Sequence, residues 1–261
     1  MNANIVHKNP SPYLKSNYVS IFFFSWLGNL LSKSHKKALE VFDLYDVLPE
    51  LNSIPLTDKL ESKWFDEINK ARQQNREPSL LRATIRMIGV KPLLNGLLLI
   101  PVELTKVLQP ALLIYLLGYF QPCSTMSTLT GWLLASGIIL MPVITTIFFH
   151  PYFYRMQMYA LQLRLAYSGL VYRKVLRLSG RSANTISSGQ ITNILSNDVS
   201  QVETALHFIN HLWVAPLEVM IVPIFFWYFG SNFYVSFIAI GYTVMLFCFQ
   251  SLYGKLLVKF R

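Results

Sequence analysis

Residues 93–120 read LLNGLLLIPVELTKVLQPALLIYLLGYF, an apolar run broken by only two charges, Glu103 and Lys106. About 20 residues suffice to cross the hydrocarbon core of a bilayer, so this run spans with length to spare. Lipid offers no partners to backbone N–H and C=O groups, and a lone segment can satisfy them only as a helix. Three more runs have the same character: Leu129–Tyr154, Ala205–Phe229 and Phe233–Tyr253. The reading is an all-α membrane protein with about four transmembrane helices. Pro101, Pro110, Pro142, Pro216 and Pro223 fall inside the runs, where membrane helices tolerate them and often kink.

Outside the runs the chain changes character. Only 14% of the residues are charged, against about 25% in a soluble domain. Residues 1–92 nevertheless hold 13 of the 23 Lys and Arg and 9 of the 13 acids. The composition therefore breaks near Lys91-Pro92, which suggests a cytoplasmic N-terminal region over 1–86 and a membrane region over 87–261. A net charge of +10 would point to nucleic acid in a soluble protein. Here it fits basic residues gathered on the cytoplasmic side, and no nucleic-acid partner is expected. Val19–Leu31 is too short to span and reads as an interfacial segment, with a signal peptide as the alternative. Cys123 and Cys248 are the only cysteines and lie in unlike contexts, so neither a disulfide framework nor a metal site is expected.

The connections give an orientation. The short loop at 121–128 and the turn at 230–232 carry no Lys or Arg. The N-terminal region, the 155–204 connection and the 255–261 tail carry 13, 6 and 3, which makes 22 of 23. By the positive-inside rule these three are cytoplasmic. In the long connection Met158, Leu161, Leu165 and Leu170 recur at helical spacing, and no breaker separates them from the second run. That helix is expected to continue beyond the bilayer. Ser187-Ser188-Gly189 breaks the chain, and Ile191–Val199 reads as a short amphipathic helix.

Several stretches carry a resemblance. They are Asn9-Pro10 with FFFSWLGNLL, LEVFDLYDVLPE at 39–50 with Trp64, ELTKVLQP at 103–110, YRKVLRLS at 172–179, SGQITNILSNDV at 188–199 and HLWVAPLE at 211–218. Together the chain resembles the ATP-binding cassette exporters of subfamily C, the multidrug-resistance-associated proteins. Ser34 departs from the glycine often found near that position. The resemblance implies an N-terminal lasso, then an incomplete first transmembrane domain with long cytoplasmic helix extensions and a coupling-helix region at 187–200. It implies a plasma-membrane exporter of amphipathic organic anions and drugs, with ATP and Mg used by the full-length family. The partners it implies are membrane lipid, anionic amphiphiles, nucleotide-binding domains and further transmembrane helices. This chain has no GxxxxGK[ST] loop, so it is expected to bind no cofactor and to hydrolyse no ATP alone. Leu178–Arg181 and Ser187–Gln190 only echo the LSGGQ signature. A rival reading is a non-transporting membrane protein that assembles with, or interferes with, full-length partners.

Ionisable residues in spans are costly and usually face a cavity or a partner. Asn95, Glu103, Lys106 and Gln109 fall on one arc of the first run, with Glu103 and Lys106 at i, i+3. Two readings stand: a polar stripe on a substrate path, with Lys106 offering charge to an anion, or an ion pair that locks helices together. His207, Asn210, His211 and Glu218 share an arc of the third run, and Thr146, His150 and Gln157 one of the second. Phe153 and Trp213 lie beside these arcs as stacking surfaces, or simply as packing. The substrate-binding candidates are thus Glu103, Lys106, His150, Phe153, Gln157, His211 and Trp213. Histidines near span ends often sit at headgroup level, which is the reading for His207. The family resemblance assigns Gly189, Gln190, Asn197 and Asp198 to coupling with a nucleotide-binding domain, the plainer alternative being Asp198 as a helix cap. No catalytic residue is expected, since no activated nucleophile or acid–base pair is evident.

Overall fold

The computed structural model describes residues 9–122, 124–178, 187–228 and 233–260, and every regular element among them is helical. The turn at 230–232, Cys123 and most of the Leu178–Arg181 echo lie outside the described residues. The elements follow the punctuation of the sequence. The interfacial run becomes short helices, α1 (Tyr18–Phe22) and α2 (Gly28–Lys36), joined by a 3-10 turn at Ser25–Leu27. Asn52 caps α3 (Ser53–Gln73), its side chain accepting from the Ile54 N–H at 3.2 Å. α4 (Leu80–Ile88) stops at Gly89, whose φ of 70° is the conformation a glycine adopts cheaply. α5 (Lys91–Asn95) and α6 (Leu99–Tyr119) are separated by a 3-10 turn at Gly96–Leu98. α7 (Thr128–Leu176) is one helix of 49 residues, roughly 74 Å at 1.5 Å per residue. α8 (Ser188–Asn193) leads through a π-helical turn at Ile194–Asp198 into α9 (Val199–Phe208). α10 (His211–Tyr228) and α11 (Phe233–Phe260) complete the described chain.

Among the described residues three helical stretches are long and apolar enough to cross a membrane: Lys91–Tyr119, Thr128–Leu176 and Gly189–Phe225. The run at 233–253 lies in α11, a single helix of 28 residues. The expected continuation of the second run is present, because α7 passes Tyr154 without a break and ends 22 residues later. Two runs differ from their expected continuity. The first is interrupted at Gly96–Leu98, and the third at residues 209–210 between α9 and α10. The two interruptions pack against each other. Asn210 is fully buried, and a β-carbon at 96 would overlap its side-chain amide and come within 3.0 Å of Trp213. Gly96 therefore leaves room for the Asn210 and Trp213 side chains, which any larger residue at 96 would displace.

The chain packs as two compact units. One comprises residues up to Asn95 together with His150–Phe208. Its core holds Leu60, Ala71, Ala83, Met87, Tyr152, Met156, Ala160, Leu163 and Ala166. There α3 and α4 pack on each other as a helical hairpin, and Gly169 of α7 admits Thr57 of α3. Two buried polar contacts tie the unit together: Thr84 with the Tyr167 hydroxyl at 2.6 Å, and the Asn95 amide N–H donating to the Tyr152 carbonyl at 3.1 Å. The N-terminal segment folds over, with Tyr13 edge-on to Trp26 at 5.4 Å and Phe24 edge-on to Tyr154 at 5.3 Å. The other unit comprises Gly96–Phe149 and the residues from Ile209 on. In it α10 packs on α6 and α11, and the Thr105 and Thr145 hydroxyls join α6 to α7 at 2.7 Å.

Candidate functional site

The charges of the membrane region converge. Glu103 and Lys106 lie one turn apart on α6, and Lys106 Nζ is 2.7 Å from Glu103 Oε2. The same ammonium is 2.8 Å from Glu218 Oε1 on α10. One cation thus bridges two carboxylates on two helices. In low dielectric that is far better than any of the three alone, since each unpaired charge carries a large desolvation cost. With all three ionised the group keeps one excess negative charge. Beside it is an apolar cavity of about 180 Å³ lined by Ile100, Glu103, Leu104, Trp213, Leu217 and Glu218, among others. Trp213 is held by its indole N–H, which donates to Asn210 Oδ1 at 3.1 Å.

Of the sequence candidates, Glu103 and Trp213 line this cavity, Lys106 joins it through its ion pairs with Glu103 and Glu218, and His211 opens α10 in the same unit. Asn95 does not share the stripe. It belongs to α5, across the 3-10 turn, and its amide is used on the Tyr152 carbonyl. His150, Phe153 and Gln157 fall on the portion of α7 that packs in the first unit. There Phe153 meets His207 edge-on at 4.4 Å. Gln157 donates to Glu203 at 3.4 Å, and Arg164 pairs with the same carboxylate at 3.2 Å.

The coupling candidates Gly189, Gln190, Asn197 and Asp198 are all exposed. Here the cap is Ser187 and not Asp198: its hydroxyl accepts from the Gln190 N–H, and the Gln190 side chain accepts from the Ser187 N–H, each at 3.2 Å. Asp198 closes the π-helical turn.

Two further clusters escaped the sequence reading. Glu67 is wholly inaccessible to solvent and faces Arg76, Arg82 and Arg86, with Arg86 Nη1 at 2.6 Å and Arg82 Nη1 at 3.8 Å. The hydrogen bond from Arg76, more than any other influence, holds its carboxyl down at about 2. Glu61 accepts from Arg173 and Arg177 at 2.6 and 2.7 Å, which lowers its pKa, Arg173 contributing most. These partners lie 9 to 116 residues apart, at no helical spacing. Glu218 was legible in principle. It is the only other Asp, Glu, Lys or Arg in the four runs, and an intramembrane carboxylate calls for a partner, for which Lys106 is the only cation in the runs.

Apolar helices of membrane-spanning length that share a bridged charge group are of the class of membrane transport domains, and the chain belongs to the family described as the ABC transporter transmembrane region, which matches residues 93–261. It is 34% identical over 256 residues to "ATP-binding cassette sub-family C member 4" of Homo sapiens, and equally to the Mus musculus protein of that name. These alignments cover 97% of this chain and 19% of each relative, so the chain spans about a fifth of their length. The resemblance to subfamily C is thereby met. The chain is an integral membrane protein of transporter type.

Proposed function

We propose that this chain forms part of an ATP-driven exporter of amphipathic organic anions and drugs in the plasma membrane, with its N-terminus in the cytoplasm. The observation that carries the reading is the bridged charge group of Glu103, Lys106 and Glu218 beside an apolar, tryptophan-lined cavity, inside a transporter family domain. An amphipathic anion needs an apolar surface and a cation in one place, and both are offered. Lys106 serves by exchange: an incoming anion takes the place of Glu218, so the cation is never left bare. His150, Phe153, Gln157, His211 and Trp213 complete the candidate lining. The exposed residues Gly189, Gln190, Asn197 and Asp198 dock on a nucleotide-binding domain, whose ATP and Mg drive alternating access. The remaining transmembrane helices and both nucleotide-binding domains are partners in this reading.

The test is ATP-dependent vesicle uptake of one anionic and one neutral substrate by the complete exporter, at matched surface expression. Lys106→Met is expected to reduce anion uptake about tenfold and to spare the neutral substrate. Glu218→Gln, which removes the competing carboxylate, is expected to lower the KM for the anion. Equal loss of both substrates in Lys106→Met, relieved in Glu103→Gln/Lys106→Met, would make the group a helix lock and sink the exchange.

A further inference from the structure

A second cavity, of about 470 Å³, lies wholly within the first unit and differs in kind from the apolar one. Lys59 of α3, Lys91 of α5 and Arg155 of α7 line it, with Glu50 as the single acid and Tyr13, Tyr159 and Gln162 supplying neutral polar groups. Three cations against one carboxylate leave a lining charge of +2. Elsewhere in this unit guanidinium groups close on carboxylates, as Arg76 and Arg86 do on Glu67, and Arg173 and Arg177 on Glu61. Among the described residues Lys59, Lys91 and Arg155 form no such ion pair. The three cations are solvent-exposed and keep their water, but converging on one cavity of ligand size they give it a positive field that draws in an anion.

The depth of the cavity narrows the anion. Lys91 stands just before the first apolar run, and Arg155 just after the second. Both therefore mark the level where hydrocarbon gives way to headgroups, whichever face of the membrane this is. Basic pockets at that level, between membrane helices, suit phosphorylated headgroups, and arginine matches phosphate with paired donors. The tyrosine hydroxyls and Gln162 add partners for headgroup hydroxyls.

We infer that this cavity binds a phosphate-bearing anion carrying more than one negative charge, with Lys59, Lys91 and Arg155 as its ligands. Such an anion reaches the site as a lipid headgroup or as a soluble organic phosphate. Its lining shares no residue with the Trp213 cavity, so its occupancy does not depend on the transport reading above.

The chain, purified in a non-ionic detergent, would be melted while its helical circular dichroism is followed. The added probes are dioctanoyl phosphatidylinositol 4,5-bisphosphate, inositol 1,4,5-trisphosphate and dioctanoyl phosphatidylcholine. The bisphosphate lipid is expected to raise the midpoint saturably, and phosphatidylcholine to leave it unchanged. A stronger shift from the lipid than from the trisphosphate at equal concentration identifies a lipid headgroup site, and an equal shift a soluble phosphate site. Lys59→Gln/Arg155→Gln should weaken the apparent affinity at least tenfold, while Lys36→Gln on α2 leaves it unchanged. Should the double variant fail to fold, Glu50→Gln decides: removing the one repelling carboxylate must tighten binding severalfold. The inference is overturned if neither phosphate probe shifts the midpoint saturably, if Lys59→Gln/Arg155→Gln folds and binds as the wild type does, or if Glu50→Gln leaves affinity unchanged.

Discussion

Glu67 and Gly169 show how single side chains fix the first unit. Glu67 sits inside the α3–α4 hairpin with three arginines around it. Its carboxyl is held at about 2 against an ordinary value of 4.5, first by the hydrogen bond from Arg76. The sign follows from linkage. A depressed carboxylate stabilises the fold fully above its unfolded value and ceases to do so as pH falls through its folded one. The contribution should therefore vanish between about 4.5 and about 2. Glu67→Gln is expected to lower the melting midpoint at pH 7 and to remove the acid-dependent loss in that window. A variant that melts with the wild-type pH profile would assign the acid sensitivity to other carboxylates. At Gly169 the constraint is space. A β-carbon there would overlap Thr57 Oγ1 and lie 3.1 Å from Thr57 Cγ2, while Thr57 is itself buried and donates to the Ser53 carbonyl at 2.7 Å. Overpacking of this kind costs about 1–3 kcal/mol. Gly169→Ala should be destabilised by that amount in detergent melts, and Thr57→Ala in the same chain should recover part of it.

At the scale of elements the sequence was most legible where one periodic signal ran on without competition. α7 is the clearest case, because Met158 to Leu170 keep the helical period and nothing breaks the chain after Tyr154. The interruptions at 96–98 and 209–210 were not legible, since both sit in apolar runs and meet through the close contact of Gly96 with the Asn210 side chain, 114 residues away. The Glu103–Lys106 pair was legible from its i, i+3 spacing. Its third member needed the packing of α6 on α10. The capped turn at α8 lay between these extremes. Ser187 was read as a breaker, but its pairing with Gln190 makes it a start signal, a capping box in which each side chain serves the other's backbone. Gln190 thereby orders the helix on which the coupling candidates stand. Ser187→Ala is expected to cost about 1 kcal/mol locally. Faster hydrogen exchange of the 188–193 amides, with an unchanged global melt, is the expected result. Unchanged exchange would show that the cap contributes nothing to the turn.

For the whole molecule the open question is which side of the membrane each connection occupies, and the charge distribution argues it. Of the 23 Lys and Arg, 22 fall in the N-terminal region, the 155–204 connection and the 255–261 tail, and none in the loops at 121–128 and 230–232. Each basic residue near an anionic cytoplasmic leaflet is worth roughly 1 kcal/mol. That attraction fades within a Debye length, so Arg155, at the end of the second run, and Lys91, at the start of the first, count most, while the remaining basic residues add to the bias by the positive-inside rule. Helix length agrees with a long connection on one side only. α7 is roughly 74 Å long by its 49 residues, more than twice the roughly 30 Å hydrocarbon core. The check is cysteine labelling in intact cells, with Cys123 and Cys248 first replaced by serine. A cysteine at Thr125 is expected to react with an impermeant maleimide added outside, and one at Asn184 only after permeabilisation. Labelling at Asn184 in intact cells would invert the arrangement, and with it the side on which Gly189, Gln190, Asn197 and Asp198 could meet a nucleotide-binding domain. Protection of both positions would mean that the 121–128 loop is shielded, and a cysteine at Ser127 would then have to label for the orientation to stand.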